Sequence, residues 1–202
     1  MVSAVVKQLR PAIVVLAIFT VILGIAYPMA ITGVAQSLFP HQANGSLITS
    51  TDGQVIGSSL IGQAFSDPKY FWGRPSGAGK GYDAAGSGAS NLGPTSRQLH
   101  DETEARAAAL RKASGLGPNA PVPEELVVES ASGLDPDISP AAADFQVARV
   151  AKERDLPTQQ VQQLVNQHIE GRTLGFLGEP RINVLELNLA LDKLQATAKK
   201  GS

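Results

Sequence analysis

The hydrophobic pattern divides the chain into two unequal parts. Residues 11–51 contain no Asp, Glu, Lys or Arg, and AIVVLAIFTVILGIAYPMAIT at 12–32 is almost wholly apolar. A helix rises about 1.5 Å per residue, so this run spans about 31 Å, which matches the hydrocarbon core of a bilayer. The sequence therefore predicts one transmembrane helix at 12–34.

Charge on either side of this run predicts its orientation. Lys7 and Arg10 precede it, and the next basic residue is Lys69. The positive-inside rule then predicts a cytoplasmic N-terminus at 1–11 and an extracytoplasmic domain at 35–202.

The alternative is a cleaved signal peptide. Lys7 and Arg10 would form its positive region, and Gly33-Val34-Ala35 would be a small-residue cleavage site. A signal peptide's apolar region is usually about 7–15 residues long, so the length of this run favours a retained anchor.

The predicted helix carries small residues that suit contact with another helix. Gly24, Ala26 and Ala30 are candidates for partner contact, because small side chains let helices approach closely in lipid. Pro28 predicts a kink near the outer end. Small pairs also occur by chance, so a lone anchor without a packing face remains an alternative.

The outer part alternates short periodic segments with loops, which predicts an α+β fold. Asp52-Gly53, within SLITSTDGQVIGSSL at 46–60, predicts a hairpin with a type I′ turn. Residues 62–94 form a long segment rich in Gly, Ser, Pro and Asn, and such segments are usually functional or disordered. The remaining periodic segments predict helices at 95–114, 139–154 and from about 158, and a strand at 126–128.

The last segment, NVLELNLALDKL at 183–194, fits two periods. Its leucines recur every second residue, but Val184, Leu187 and Leu191 also follow helical spacing. Asn183 and Glu186 have the spacing of a capping box, so we predict a helix.

Composition excludes several classes of function. Lys plus Arg total 17 against 18 Asp plus Glu, and no basic stripe suggests nucleic-acid binding. The chain has no cysteine, which excludes disulfides and thiolate metal sites. His41, His100 and His168 have no partners at ligand spacing. Asp135-Pro136-Asp137 opens like a calcium loop but lacks the later Gly and Glu, so no metal site is predicted.

GRPSGAGKG at 73–81 raises the question of a phosphate-binding loop. In a Walker A motif four residues separate the first Gly from the Gly-Lys pair, whereas five separate Gly73 from Gly79. Gly81 replaces the hydroxyl that holds magnesium, and neither a buried strand nor a helix flanks the loop. We therefore predict a binding loop without direct ATP contact or cofactor. The weak alternative nucleotide-binding candidates are Lys80, Ser87, Gly88 and Asn91.

The aromatic cluster beside this loop predicts contact with another surface. Tyr70, Trp72 and Arg74 lie in a long loop, and aromatic and arginine side chains often anchor interfaces. We predict them as partner contacts. The sequence contains no Ser-His-Asp order with a nucleophile elbow, so it does not predict a catalytic triad.

Colinear motifs from residue 9 to 194 resemble the KdpC family, the C subunit of bacterial potassium-transporting P-type ATPases. They are LRPA (9–12), YP (27–28), QANGSLI (42–48), LIGQ-x-F (60–65), YFWGRPS (70–76), SGASNLGPT (87–95), SASGLDPDISPAAA (130–143), QVARVAKER (146–154) and FLGEPRINVLELNLALDKL (176–194). Two positions depart from the family pattern: Ala89 where a second Gly is usual, and Asp137 where His is frequent.

The resemblance implies a single-pass subunit of the inner (cytoplasmic) membrane with no catalytic residues. Its partners would be membrane lipid, a channel-like potassium-selecting subunit, a P-type ATPase subunit that uses ATP, and a small single-span subunit. The family is described as needed for assembly and as a catalytic chaperone that raises ATP affinity, and it carries an ATP-binding label. Two alternatives stay open: a secreted or anchored binding module, and a nucleotide-binding protein that uses residues 73–91.

Overall fold

The N-terminal unit is a long apolar helix. A computed structural model describes the backbone of residues 2–50 and 52–200 and the side chains of residues 7–50 and 52–197. Helix α1 (Val2–Val21) continues through a π-helical turn (Ile22–Ala26) into α2 (Tyr27–Leu38). The 32 residues Lys7–Leu38 contain an 18-residue window with a mean hydropathy of 2.5, and the helix could cross a membrane by length and composition.

The π-helical turn has a local cause in the sequence. Pro28 has no N–H, and its ring would clash with the carbonyl of Gly24 in a regular helix. The chain widens by one residue before the proline, and the Tyr27 N–H donates to the Ile22 carbonyl. The disturbance expected at Pro28 therefore takes the form of a π turn on its N-terminal side.

The helix extends beyond the end expected at residue 34. It ends at Leu38 because Phe39 leaves helical geometry with φ −136° ahead of Pro40, and a residue before proline avoids the helical region. A short helix, α3 (Pro40–Ala43), follows. The Gln36 and Asn44 side-chain amides pair at 3.2 Å across this corner.

Residues 1–47 and 48–202 form two compact units. The elements after α3 are β1 (Leu47–Thr49), β2 (Val55–Ser58), α4 (Arg97–Ala113), β3 (Asp137–Ile138), α5 (Pro140–Glu153), α6 (Thr158–Gln167), β4 (Ile182–Asn183) and α7 (Val184–Lys200). This mixture of helices and strands agrees with the predicted α+β class. Of the predicted segments 1–11 and 35–202, residues 1, 51, 201 and 202 lie outside the described residues.

The predicted hairpin is confirmed, but its turn differs from the expected type. Strands β1 and β2 form a two-stranded sheet. The Gly53 N–H donates to the Ser50 carbonyl at 3.0 Å, and the Ser50 N–H donates to the backbone carbonyl of Gln54 at 2.8 Å. Gly53, with φ +77°, is therefore the last residue of the turn rather than one of its two centres. Such a turn followed by a left-handed glycine is common in slightly longer hairpins.

Two predicted elements need correction around α4. The helix is capped by Ser96, whose Oγ accepts from the Leu99 N–H at 3.4 Å, rather than beginning at Thr95. The strand expected at 126–128 is wrong. Glu124–Leu126 form a 3₁₀ turn after Pro123, although Leu126 and Val127 are buried as an apolar strand would be. Periodicity alone cannot separate a short apolar strand from a buried turn.

The predictions for the last three helices are confirmed. Ser139 caps α5 by accepting from the Ala142 N–H at 3.2 Å. Asn183 caps α7 by accepting from the Glu186 N–H at 3.1 Å, so the helical period was the correct one. The helices pack around one core whose fully buried members include Val150, Val161, Val165, Ile182, Leu187 and Leu191.

A two-residue antiparallel ladder positions two of these helices. Asp137 pairs with Asn183, and Ile138 pairs with Ile182. Strand β3 leads into α5 and β4 leads into α7, so both helices start beside the same ladder. This arrangement fixes where the buried faces of α5 and α7 meet the long loop.

Candidate functional site

Side-chain amides hold the aromatic part of the long loop. Asn188 of α7 accepts from the Phe71 N–H and donates to the Phe71 carbonyl, both at 2.9 Å. Gln146 of α5 does the same for Trp72, at 2.8 and 3.0 Å. Two amides thus replace the neighbouring strands that an extended segment would have in a sheet. We call these four residues the amide clamp.

Two arginines extend the clamp towards the start of the loop. Arg149 donates to the carbonyls of Pro68 and Tyr70, and its guanidinium lies 4.0 Å from the centre of the Trp72 ring. Burial lowers the pKa of Arg149 to about 10. Arg154 donates to the Lys69 carbonyl at 2.8 Å and lies over the Tyr70 ring. The aromatic cluster is therefore bound by this chain's own helices.

The glycine-rich stretch folds back on itself after Arg74. The Ser76 hydroxyl donates to the Gly133 carbonyl at 2.5 Å and accepts from the Tyr82 N–H at 2.7 Å. The Tyr82 hydroxyl donates to the Arg74 carbonyl at 2.5 Å. Arg74 itself pairs with Asp135 at 3.2 Å. These bonds order a stretch that has neither strand nor helix.

A cavity of about 350 Å³ lies beside this stretch. Apolar side chains make up most of its wall, and Arg74 and Tyr82 supply polar groups. Its lining includes Phe65, Trp72, Arg74, Tyr82, Leu110 and Leu126. The Nε of Arg74 is buried without a hydrogen-bond partner among the described residues.

Three of the four weak nucleotide-binding candidates form hydrogen bonds within this chain. The Ser87 hydroxyl and the Gly88 N–H both donate to the Ser132 carbonyl, at 3.0 and 2.9 Å. Asn91 donates to the nearby carbonyl of Ala89, and the Lys80 side chain is exposed. In the described residues no strand directly precedes 73–81 and no helix directly follows it. The hydrogen bonds of Ser87, Gly88 and Asn91 close the loop on this chain's own backbone.

The predicted partner contacts fall in two different settings. On the apolar helix Gly24, Ala26 and Ala30 are exposed. Tyr70, Trp72 and Arg74 are only partly exposed. Arg154 lies over Tyr70, Gln146 bonds to Trp72, and Arg74 pairs with Asp135. Their role towards a partner stays a prediction.

Weak signs of the clamp are present in the amino-acid sequence. Asn188 lies between Leu187 and Leu189 on the core side of α7, and Gln146 lies one residue before the buried Val147 on α5. A polar residue on an apolar stripe indicates a buried hydrogen bond, because an unpaired buried amide is costly. That signal could have identified both residues but not their partners.

Histidines and acidic residues are dispersed in the described part of the chain. It contains no group of three or more His, Cys, Asp or Glu side chains that could hold a metal ion. Near β3, burial raises the pKa of Asp137, although Arg181 lies 3.2 Å away and opposes the shift.

The Tyr82 hydroxyl gives the loop a testable pH dependence. Burial, assisted by the charge of Asp135, raises the pKa of Tyr82 from 10.0 to about 12. The unfolded chain releases this proton near pH 10 and the folded chain holds it, so wild-type stability falls as pH rises from 10 towards 12. Phenylalanine cannot ionise. We expect the stability advantage of wild type over Tyr82→Phe to shrink by about 1 kcal/mol between pH 9 and 11, measured by denaturant unfolding. Parallel stability curves for the two proteins would contradict the burial of this hydroxyl.

Fold and site together define a class of protein. A helix that could span a membrane is joined to a small α+β unit whose longest loop is ordered by internal hydrogen bonds. This architecture is typical of an accessory subunit of a membrane assembly.

Comparison with known proteins identifies the family. Residues 9–193 match the family model KdpC, described as K+-transporting ATPase, c chain. Relatives named potassium-transporting ATPase KdpC subunit are 55% identical in Bradyrhizobium diazoefficiens, 54% in Caulobacter vibrioides and 54% in Methylococcus capsulatus. The matches cover 94%, 92% and 94% of this chain and 98%, 93% and 100% of those relatives. The chain belongs to the KdpC family and is a subunit of a potassium-transporting ATPase complex.

Proposed function

We propose that this chain is a non-catalytic subunit that stabilises the assembled potassium-transporting complex and raises the ATP affinity of its pump subunit. It acts from outside the cytoplasmic membrane, through contacts with the channel-like subunit. The chain itself binds no ATP and no cofactor, and the P-type ATPase subunit carries out hydrolysis. The small single-span subunit and lipid are its other neighbours.

The commitment of the loop's polar groups carries this proposal. The hydroxyl of Ser76, the hydroxyl of Ser87 and the N–H of Gly88 are all bonded to the chain's own backbone. A phosphate site needs several backbone N–H groups or cations converging on one point. In this loop such donors form hydrogen bonds to the chain's own backbone. That arrangement suits a recognition surface better than a nucleotide site.

The distribution of charge supports the orientation. Lys7 and Arg10 lie at the start of the apolar helix, and residues 11–51 carry no charged side chain. With the positive end in the cytoplasm, everything after the helix is outside and separated from cytosolic ATP. An effect of the outer domain on ATP affinity must then be transmitted across the membrane to the pump subunit. A subunit that binds one conformation of the complex more tightly shifts its affinity for every other ligand by linkage.

The apolar helix provides the contact within the membrane. Gly24, Ala26 and Ala30 leave shallow places on the helix beside the large apolar side chains of Leu23, Ile25 and Met29. Gly24 and Ala26 lie within the π turn, and such turns are frequently found at functional sites. We propose that this part of the helix packs against the channel-like subunit.

A single cysteine at position 80 tests the proposal in one protein. The chain has no native cysteine, and Lys80 is exposed on the glycine-rich loop. In intact cells a membrane-impermeant maleimide should label Lys80→Cys. The purified complex with this variant should keep the wild-type Michaelis constant for ATP, whereas the complex that lacks this chain should show a higher one.

The control is a second single-cysteine variant at the other end of the helix. Lys7→Cys should be labelled only after the cells are opened. Labelling of Lys80→Cys only in broken cells would disprove the orientation. A raised Michaelis constant on exchange of Lys80 would instead support the alternative of direct nucleotide contact.

A further inference from the structure

A hairpin braced by two antiparallel bridges joins α6 to β4. The Glu170 N–H donates to the Arg181 carbonyl at 2.8 Å, and the Arg181 N–H donates back at 3.0 Å. Thr173 and Leu177 exchange the same pair of bonds, both at 2.9 Å. Two antiparallel bridges thus brace the backbone of residues 169–181. We call these residues the arm.

The tip of the arm is apolar and open to solvent. Leu174 is 79% exposed, Phe176 68% and Leu177 50%. Single exposed apolar residues are normal on protein surfaces. Three large ones within four positions, at the end of a braced hairpin, form a projecting patch of the kind that marks interaction sites.

The backbone of the tip is held in an unfavourable conformation. Leu174 has φ +54°, in the left-handed region that leucine avoids, and Gly175 follows with φ +82°. The Leu174 side chain is mostly exposed, so packing within this chain does not compensate for the strain. Strained residues of this kind cluster at sites that bind other molecules. The tip is therefore preorganised to present its side chains.

The charges on the arm discriminate between a lipid and a protein surface. Arg172 pairs with Glu179 at 2.6 Å, and Arg181 pairs with Glu170 at 2.7 Å and with Asp137 at 3.2 Å. Each basic residue of the arm thus has a carboxylate partner. Binding to anionic lipid relies on unpaired basic residues and interfacial tryptophan or tyrosine, and the arm contains neither of these aromatic residues. A neutral apolar tip fits a protein pocket.

We propose that the tip of the arm, Leu174, Phe176 and Leu177, docks into an apolar pocket with an uncharged rim on another subunit of the potassium-transporting complex. This inference rests on the proposed function, because it needs the chain to act as an assembled subunit. It adds a contact surface remote in sequence from the aromatic cluster at 70–74. Two or three apolar anchors in a desolvated pocket can supply much of the energy of an interface.

Photo-crosslinking in the assembled complex tests what the tip contacts. A benzophenone amino acid replaces Phe176, and a matched control replaces Leu116, which is 42% exposed in the loop after α4. We expect residue 176 to give one defined adduct with another subunit and residue 116 to give none. An adduct with lipid alone, or with a second copy of this chain, would overturn the proposal.

A pair of substitutions separates side-chain contact from hairpin shape. Leu174→Gly suits the left-handed backbone, so it keeps the arm's conformation while it removes the side chain. Combined with Phe176→Ala, it should lower the recovery of this chain with the detergent-extracted complex by about tenfold. Leu116→Ala should leave recovery unchanged. The melting temperature of each isolated full chain in detergent reports whether the variants are folded.

The outcomes distinguish this inference from the proposed function. Wild-type recovery of the folded double variant would refute the docking of the tip, while the wild-type chain could still raise ATP affinity. Failure of the wild-type chain to change the Michaelis constant for ATP would refute the proposed function. In that case an adduct from residue 176 would still support docking.

Discussion

Asn188→Leu is expected to destabilise the folded domain by about 3–5 kcal/mol. Asn188 is only 1% exposed, and its amide satisfies both backbone groups of the fully buried Phe71. Leucine has a similar volume but can neither donate nor accept a hydrogen bond. The Phe71 N–H and carbonyl would then lie unpaired in the core, and each unpaired group costs about 1–3 kcal/mol. Global stability is typically about 5–15 kcal/mol, so this loss is a large fraction of it.

Denaturant unfolding of the full chain in detergent measures the effect. Trp72 is the only tryptophan and belongs to the amide clamp, so its fluorescence reports directly on this region. Asn166→Leu is the matched control, because Asn166 is exposed on α6, where its Oδ1 accepts a hydrogen bond from the Gln162 side chain at 3.3 Å. We expect the control to change stability by less than about 0.5 kcal/mol. A loss below about 1 kcal/mol in Asn188→Leu would show that the clamp does not hold the loop.

Gly133→Ala is expected to cost at least about 3 kcal/mol and to release the glycine-rich loop. A Cβ on Gly133 would lie 2.6 Å from the Ala78 nitrogen and 2.6 Å from the Gly88 carbonyl oxygen. Both atoms belong to backbone, so neither can move without shifting the loop. Gly133 also has φ +66°, which alanine tolerates poorly. The backbone strain at positive φ and the steric overlap of the new Cβ therefore both add to the loss of stability at Gly133.

Gly115→Ala separates these two causes. Gly115 has φ +67°, nearly the same as Gly133, but a Cβ there would meet no atom within 4 Å. It should cost only the backbone strain, about 1 kcal/mol. Trypsin cleavage after the exposed Lys80 gives a second readout, because a released loop should be cut faster in Gly133→Ala. Equal losses in the two variants would show that close approach at Gly133 is unimportant.

These two positions explain how an irregular loop can act as a fixed surface. The loop has no ladder of its own, so its backbone groups must be paired by side chains and by the 130–134 segment. Asn188 pairs one end of the loop, and Gly133 allows the other end to approach closely. A fixed loop loses little entropy on binding a partner, which favours tight recognition.

The helices were predictable where the signal was local. Ser139 and Asn183 cap their helices through bonds to residues three positions ahead, and the sequence alone displays that spacing. The apolar helix was predictable for the same reason, although its end at Leu38 lay four residues beyond the expected one. Its end depends on backbone geometry at Phe39, which hydropathy does not report.

The errors arose where a local pattern was ambiguous. Leu126 and Val127 are apolar and buried, so they resembled a strand, but Leu126 ends a 3₁₀ turn and Val127 follows it. Asp52-Gly53 correctly predicted a hairpin, but the turn lies one residue earlier than expected, because the Gly53 N–H donates to the Ser50 carbonyl. In both cases the residue types correctly indicated a buried segment or a hairpin. They did not indicate the backbone hydrogen bonds that determine the type and position of the turn.

Tyr70 and Trp72 show the limit of composition in predicting a site. Their presence in a loop predicts partner contacts, and that role stays a prediction; in the structure both residues contact polar side chains in and just after α5 of the same chain. The sequence could not reveal this, because the partners lie more than 70 residues away along the chain.

The sequence by itself determined the apolar helix, its positive end, the helix caps and the family, because each depends on neighbouring residues or on a colinear set of motifs. Only the tertiary structure decided that Gln146 and Asn188 clamp the aromatic segment, that Ser87 and Gly88 serve the loop's own closure, and that Leu174 and Phe176 project from a braced arm. Those facts depend on which distant groups come within hydrogen-bond distance and which side chains are left uncovered. Both are properties of packing, which no local pattern of residues contains.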